Sequence, residues 1–404
     1  MTRLVLKFGG TSVGNIEKIQ KVANLIKKKH DQNIELIVVV SAMSGFTNEL
    51  IKKSQSISKN FDPAEYDVLV SSGEQISSSL LTGALIDLGL KARSWSGWQI
   101  PIMTDDNHSF SKIINIDTKE ISDFISKKGI AVITGFQGIS NKNRTTTLGR
   151  GGSDLSAVVI AKFFQTDSCE IYTDVEGVLT TDPSIHNKAK KIDKISYEEM
   201  LEMASLGAKV MQPTSVQASM INNITVNVKS TFSKAEGTLI LDENEIDYQK
   251  VVTGIAYSKN DAKVTLVGVV DKPGVAADIF EPLGKSNINI DMVIQNISSD
   301  GKETDVTFTI KREDLNKTLN LIEKSNKKIK YKNLIHDDKV SKVSIIGAGM
   351  IANPGVTYKM FRCLANENIN ILAISTSEIK ISVLVKENLT QKAVKALHKI
   401  FELD

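Results

Sequence analysis

The second half of this chain copies itself, and that repeat limits the fold more than any other feature. Lys263-Val-Thr-Leu-Val-Gly268 returns as Lys342-Val-Ser-Ile-Ile-Gly347, and Pro273-Gly274-Val275 as Pro354-Gly355-Val356. Phe280 returns as Phe361, Leu283 as Leu364, and Asn287-Ile288-Asn289-Ile290 as Asn368-Ile369-Asn370-Ile371. From the prolines onward each pair is 81 residues apart. Each copy reads as strand, Pro-Gly turn, helix, Ile-Asn-Ile strand and further strand, a βαββ unit. Such a unit leaves one sheet face needing cover, so two copies are expected to pair. The repeat carries little catalytic chemistry, which points to binding or regulation.

Residues 1–245 have another character. Short apolar runs alternate with helical periodicity, as in an α/β domain built on a mainly parallel open sheet. Leu4 to Phe8 is a strand that stops at Gly9-Gly10, and Ile16, Ile19, Val22 and Ile26 then recur at helical spacing. Leu36 to Val40 reads as a strand covered on both faces, and Gly129 to Ile133 as another strand, ending at Gly135. Asp62-Pro63-Ala64-Glu65 offers an N-cap, a first-turn proline and a capping-box acid, and Ser196 with Glu199 offers a second box. Leu155 to Phe164 is a buried helix, and Cys169 to Tyr172 and Ile224 to Val228 are later strands. With 404 residues the chain exceeds one core. The expected division is 1–245 and 246–404, with repeats at about 260–335 and 340–404.

Composition narrows the classes. A net charge of +3 and no membrane-length apolar run argue against nucleic-acid and membrane partners. Two distant cysteines and five scattered histidines make no CxxC, HxxxH or HExxH, so no metal ligands are expected and a reducing cytoplasm fits.

Chemistry concentrates at predicted strand ends, where ligands of open α/β sheets bind. Glycine and polar residues coincide at Lys7-Phe8-Gly9-Gly10-Thr11-Ser12, Ser41-Ala42-Met43, Gly135-Phe136-Gln137-Gly138, Gly149-Arg150-Gly151-Gly152-Ser153-Asp154 and Thr173-Asp174. Gly9-Gly10 and Gly151-Gly152 precede helices, whose bare amides and positive ends suit phosphate. Lys7 is placed to neutralise charge on a transferring phosphoryl group, and Arg150 offers a fork for a carboxylate. Asp154 is read as holding the lysine, helping to bind magnesium, or simply capping a helix. Two other motifs fail. Gly284-Lys285-Ser286 lacks the opening glycine of a phosphate loop, because position 279 is Ile. Gly347-Ala348-Gly349-Met350-Ile351-Ala352 is followed by Asn353-Pro354, where a dinucleotide-binding helix would continue.

Taken together with Ser72-Gly73-Glu74, Thr147-Leu148 and Gly207-Ala208-Lys209, these segments resemble the signatures of the aspartate kinases across essentially the whole chain. The repeats resemble ACT domains. The resemblance implies an amino-acid kinase fold and the ATP- and Mg2+-dependent phosphorylation of the side-chain carboxylate of L-aspartate. It implies that Lys7 stabilises the transferring group and Asp154 organises the catalytic lysines. Thr47, Glu74, Arg150, Gly151 and Ser153 would hold aspartate, with Glu74 near the amino group. Gly9, Gly10, Ser41, Thr173, Asp174, Asp182 and Lys209 would line the ATP site. The family's Tyr-Thr-x-Asp-Pro-Arg segment stands here as Leu179-Thr-Thr-Asp182-Pro183-Ser184, a departure that touches ATP affinity rather than reaction type.

In the tail, the resemblance places lysine or threonine as effectors at Asp271, Gly274, Ala276, Asp291, Gln295, Asn370 and Ile371. It also implies a homo-oligomer, with the strand region of Ser298 and Thr307 as a contact, and leaves room for a separate ACT-containing regulatory chain. Two alternatives stay open at this point: a related kinase acting on acetylglutamate, glutamate or UMP, and an amino-acid sensor with little turnover.

Overall fold

Runs of consecutive apolar residues supply the inner strands of a mainly parallel sheet, seen in a computed structural model that describes residues 2–166, 168–208, 210–247, 250–297 and 303–404. The chain forms two units, Met1–Val178 with Lys191–Asp247, and Leu179–Lys190 with Tyr248–Asp404. The short segment Leu179–Lys190 thus leaves the otherwise continuous first half. Ile185 is its apolar anchor, buried in the core of the second unit beside Val252 and Ile255.

In the first unit, β1 (Arg3–Phe8) leads through α1 (Ile16–His30) to β2 (Glu35–Val40), then α2 (Phe46–Ile57), α3 (Pro63–Asp87) and β3 (Ala92–Trp95). Next come β4 (Ile102–Thr104), β5 (Ile113–Ile116), α4 (Lys119–Ser126), β6 (Ile130–Thr134), β7 (Gln137–Ser140), β8 (Thr145–Thr147) and α5 (Gly152–Phe163). The unit ends with β9 (Ser168–Thr173), β10 (Lys194–Ser196), α6 (Tyr197–Ser205), α7 (Pro213–Asn222), β11 (Thr225–Ser230) and β12 (Thr238–Leu241). The main sheet has the order β10-β12-β11-β9-β1-β2-β6-β3. Its pairs are parallel except β11 with β12.

Strand order explains where a ligand belongs. From β1 the sheet grows one way through β2 to β6, and the other way through β9 to β11. The crevice at such a reversal, beyond the carboxyl ends, is the natural binding place of an open α/β sheet. On one face Leu6, Phe8, Val38 and Val40 pack with Val22 and Ile26 of α1 and Leu81 and Leu85 of α3. Helix α5 packs against β1, β2 and β9. Both capping residues behave as their side chains dictate. Ser196 and Glu199 form a reciprocal capping box. Asp62 accepts from the amides of Ala64 and Glu65. Glu65 does not close a second box, however; its carboxylate pairs with Arg144 instead.

The second unit holds one six-stranded sheet. Its elements are β13 (Gly254–Val270), α8 (Val275–Lys285), β14 (Ile290–Ile297), β15 (Glu303–Lys311), α9 (Leu315–Lys324) and α10 (Asn326–Ile329), followed by β16 (Asn333–Ile346), α11 (Val356–Asn366), β17 (Ala373–Thr376), β18 (Lys380–Lys386) and α12 (Thr390–Ile400). The order β14-β15-β13-β16-β18-β17 joins the two repeats through the antiparallel pair β13–β16. The repeat is visible atom for atom at the helix ends. Asn287 and Asn368 both adopt a left-handed φ, 56° and 54°. The next amides, Ile288 and Ile369, reach back to Leu283 and Leu364 carbonyls at 3.0 and 2.9 Å. Each βαββ copy also carries a closing helix, α9 or α12, over its own core. Gly284 and Lys285 end α8, and Asn353-Pro354 separates Gly347–Met350 from α11, so neither discarded motif forms a phosphate or dinucleotide loop. Among the described residues no helix is long and apolar enough to cross a membrane.

Leu283 and Leu364 occupy equivalent, fully buried sites in the two repeat cores. Each Leu→Ala replacement is expected to destabilise the second unit by about 2–5 kcal/mol, measured by urea unfolding; a loss confined to one of them would show that the cores are not equivalent.

Candidate active site

Three loops meet at the carboxyl rim because glycine lets them. Helix α3 lies so close to Ala42 that a Cβ on Gly73 would stand 2.6 Å from the Ala42 Cβ. That approach brings Glu74 beneath the loop after β2, where its Oε1 accepts from the Ala42 amide at 3.0 Å. Gly151 has φ +74°, and a Cβ there would come within 2.0 Å of Gln212 Cγ. Only glycine fits this start of α5, which presents Ser153 and Asp154 in the first turn.

The result is a cavity of about 660 Å3 lined by Lys7, Ser41, Thr47, Glu74, Arg150, Gly151, Ser153 and Asp154 among others. Lys7, at the end of β1, forms a buried ion pair with Asp154. Arg150 is exposed as a residue, at the start of the turn into α5. Glu74 is buried, and its Oε2 has no hydrogen-bond partner. Burial pushes its carboxyl up to about 8, against the pull of the Ala42 amide. Lysine and arginine thus bring positive charge to the cavity lining, together with a carboxyl that has a spare oxygen.

The other predicted residues lie elsewhere. Gly9 and Thr173 follow the register pair Phe8–Tyr172 of adjacent strands, so they share the rim on the β9 side of the reversal. The Gly9 amide donates to the Tyr172 carbonyl at 3.0 Å. Gly10 presses on the loop after β2, its carbonyl accepting from the Ser44 amide at 3.1 Å. Thr173 donates to Asp174, which is exposed. These four do not line the cavity. Asp182 belongs to the second unit, where it accepts from the Tyr257 hydroxyl at 2.9 Å and from Ser184. Lys209 and Ser298 lie outside the described residues. Of the effector candidates, Asp271, Gly274 and Ala276 flank the start of α8, and Asp291 and Gln295 lie on β14. Asn370 and Ile371 lie between α11 and β17, and Asp291 pairs with the buried Lys342 of β16.

Sequence reading missed the support beneath the cavity. Asp67, fully buried in α3, accepts from the Ser109 amide, from the Thr147 amide and hydroxyl, and from His108 Nδ1 at 2.8 Å. It thereby ties the loop carrying Ser109 and Phe110, both in the lining, to the strand before Arg150. No motif surrounds Asp67, and its partners are distant in sequence. Phe136, also in the lining, is held at φ 69°, an unfavourable conformation for a bulky residue and one typical of functional sites.

Similarity to known proteins completes the assignment. The Amino acid kinase family model matches residues 2–230, and the ACT domain model matches residues 264–325 and 343–401. The class is therefore an amino-acid kinase with an ACT-domain tail. An aspartate kinase of Stutzerimonas stutzeri is 46% identical over 405 residues, covering 100% of this chain and 98% of that protein. The aspartokinase of Helicobacter pylori is 44% identical, covering 99% of each. Among solved structures, E. coli aspartokinase III in complex with aspartate and ADP has a TM-score of 0.82 and 26% identity, covering 99% of both chains. The chain belongs to the aspartate kinase family.

Glu74 gives a stability signature. Its folded value of about 8 stands above the ordinary 4.5, so the folded state holds a proton that the unfolded chain releases between those values. Its contribution is complete below 4.5 and is lost as pH rises through about 8. Glu74→Gln should flatten that part of the stability profile in urea denaturation; a variant whose profile parallels the parent would contradict the buried, protonated carboxyl.

Proposed function

We propose that this chain transfers the γ-phosphoryl group of ATP to the side-chain carboxylate of L-aspartate, giving 4-phospho-L-aspartate and ADP. The observation that carries this is the cavity in which Lys7, Asp154, Arg150 and the half-satisfied Glu74 converge. Arg150 binds a carboxylate of aspartate, and Glu74 takes the ammonium, losing its proton as that charge arrives. Thr47, Gly151 and Ser153 complete the substrate's seat. One side-chain carboxylate oxygen attacks the γ-phosphorus, and the bond from that phosphorus to the β-phosphate oxygen breaks. The nucleophile is already ionised, so no protein base is needed, and catalysis is positioning and electrostatics. Lys7, held by Asp154, neutralises charge on the transferring group. Gly9, Gly10, Ser41, Thr173, Asp174 and Lys209 are proposed for the nucleotide.

A magnesium ion bound with the nucleotide would shield its phosphates. Asp154, in the cavity lining, would offer such an ion a carboxylate oxygen, with the phosphates and water supplying the rest.

The ACT repeats support feedback control by lysine or threonine through Asp271, Gly274, Ala276, Asp291, Gln295, Asn370 and Ile371. E. coli aspartokinase III, described with lysine and aspartate in its T state, has a TM-score of 0.76 to this chain. A homo-oligomer, and pairing with a separate ACT-containing regulatory chain, belong to the same proposal.

Aspartate-dependent ADP formation should yield an acyl phosphate trapped by hydroxylamine. Lys7→Ala should lower kcat about 100-fold or more; turnover near the parent's would remove Lys7 from the mechanism. Millimolar lysine or threonine, alone or together, should shift the apparent affinity for aspartate by about 5–150-fold, and initial rates indifferent to both would refute the proposed control.

A further inference from the structure

Far from the cavity in sequence, the second unit gathers a compact set of metal-ligand atoms. His186 of the 179–190 segment, His398 of α12 and Asp404 offer one ligand atom each, all within 4.8 Å of one another. His186 Nε2 and His398 Nδ1 point at the same oxygen, Asp404 Oδ1, at 2.9 and 2.7 Å. His398 is fully buried and His186 is only 8% exposed. The rings meet edge to face with centroids 4.5 Å apart.

The surroundings suit an ion. A coordinating imidazole usually has its far nitrogen held by a polar partner, which fixes the ring and its tautomer. His398 Nε2 lies 2.9 Å from Thr180 Oγ1, and that oxygen also accepts from the Lys190 amide at 3.0 Å. The far nitrogen of His186, Nδ1, is buried and has no partner. Lys188 Nζ takes the second carboxylate oxygen, Asp404 Oδ2, at 3.2 Å, and Lys190 Nζ bonds the Asp404 backbone carbonyl. These contacts orient the carboxylate with Oδ1 facing the two rings. Two imidazoles and a carboxylate form the donor set of borderline divalent ions, while magnesium prefers oxygen alone.

We propose that His186, His398 and Asp404 bind one divalent transition-metal ion of the zinc class, with the fourth position open to water. The ion fastens the 179–190 segment to α12 and its following residues, closing a loop between positions 186 and 398 through one point. Its role is structural.

The test uses the full chain, stripped with chelator and kept free of nucleotide, in excess magnesium. Equilibrium dialysis and visible absorption with cobalt(II) should show one ion per chain, displaced by zinc, together with a raised midpoint of thermal unfolding. His186→Gln and Asp404→Asn should each weaken binding more than about tenfold, and Thr180→Val about tenfold through the far nitrogen of His398. His336→Gln, at an exposed histidine, should leave binding unchanged. Circular dichroism separates loss of the ion from loss of fold. Absence of saturable cobalt binding by the parent would overturn the proposal, as would binding retained in folded His186→Gln and Asp404→Asn.

Discussion

The ion pair between Lys7 and Asp154 is the interaction on which the chemistry proposed for the first unit rests. It joins the end of β1 to the first turn of α5, at the place where the sheet reverses direction. Burying two charges is expensive and gives little net stability, so such a pair is better explained by what it positions. Asp154 also sits where a helix N-terminus favours negative charge. Lysine is thereby fixed in the cavity lining, its charge in place before any ligand arrives.

The rest of the cavity extends that arrangement. Gly73 allows α3 to touch Ala42, and this contact places Glu74 with one oxygen bonded and the other free. Asp67 performs a related task about two turns earlier in the same helix, gathering Ser109, Thr147 and His108 without reaching the cavity itself. One helix therefore carries both a carboxyl in the cavity lining and the brace for a loop that contributes to that lining.

Much of this was legible from residues close together in the chain. The glycine-flanked strand ends, the capping box at Ser196 and the matched Asn287 and Asn368 all express local backbone requirements, so the sequence displays them directly. Features made by distant partners were not legible. The Asp67 hub and the His186–His398–Asp404 cluster depend on contacts across the fold, and their spacing resembles no motif. The same holds for Leu179–Lys190, whose polar-rich sequence hides that Ile185 and Thr180 are anchored in the second unit. Glu65 had the right spacing for a capping box, but Arg144 offered it a charged partner.

The preorganised pair is tested most directly by a double-mutant cycle on kcat with Lys7→Met, Asp154→Asn and both together. If Asp154 acts by holding Lys7, the double variant should be no slower than the worse single variant to within about tenfold. Losses that multiply in full would mean that the two residues act independently, and the account of a single fixed charge at the rim would be wrong.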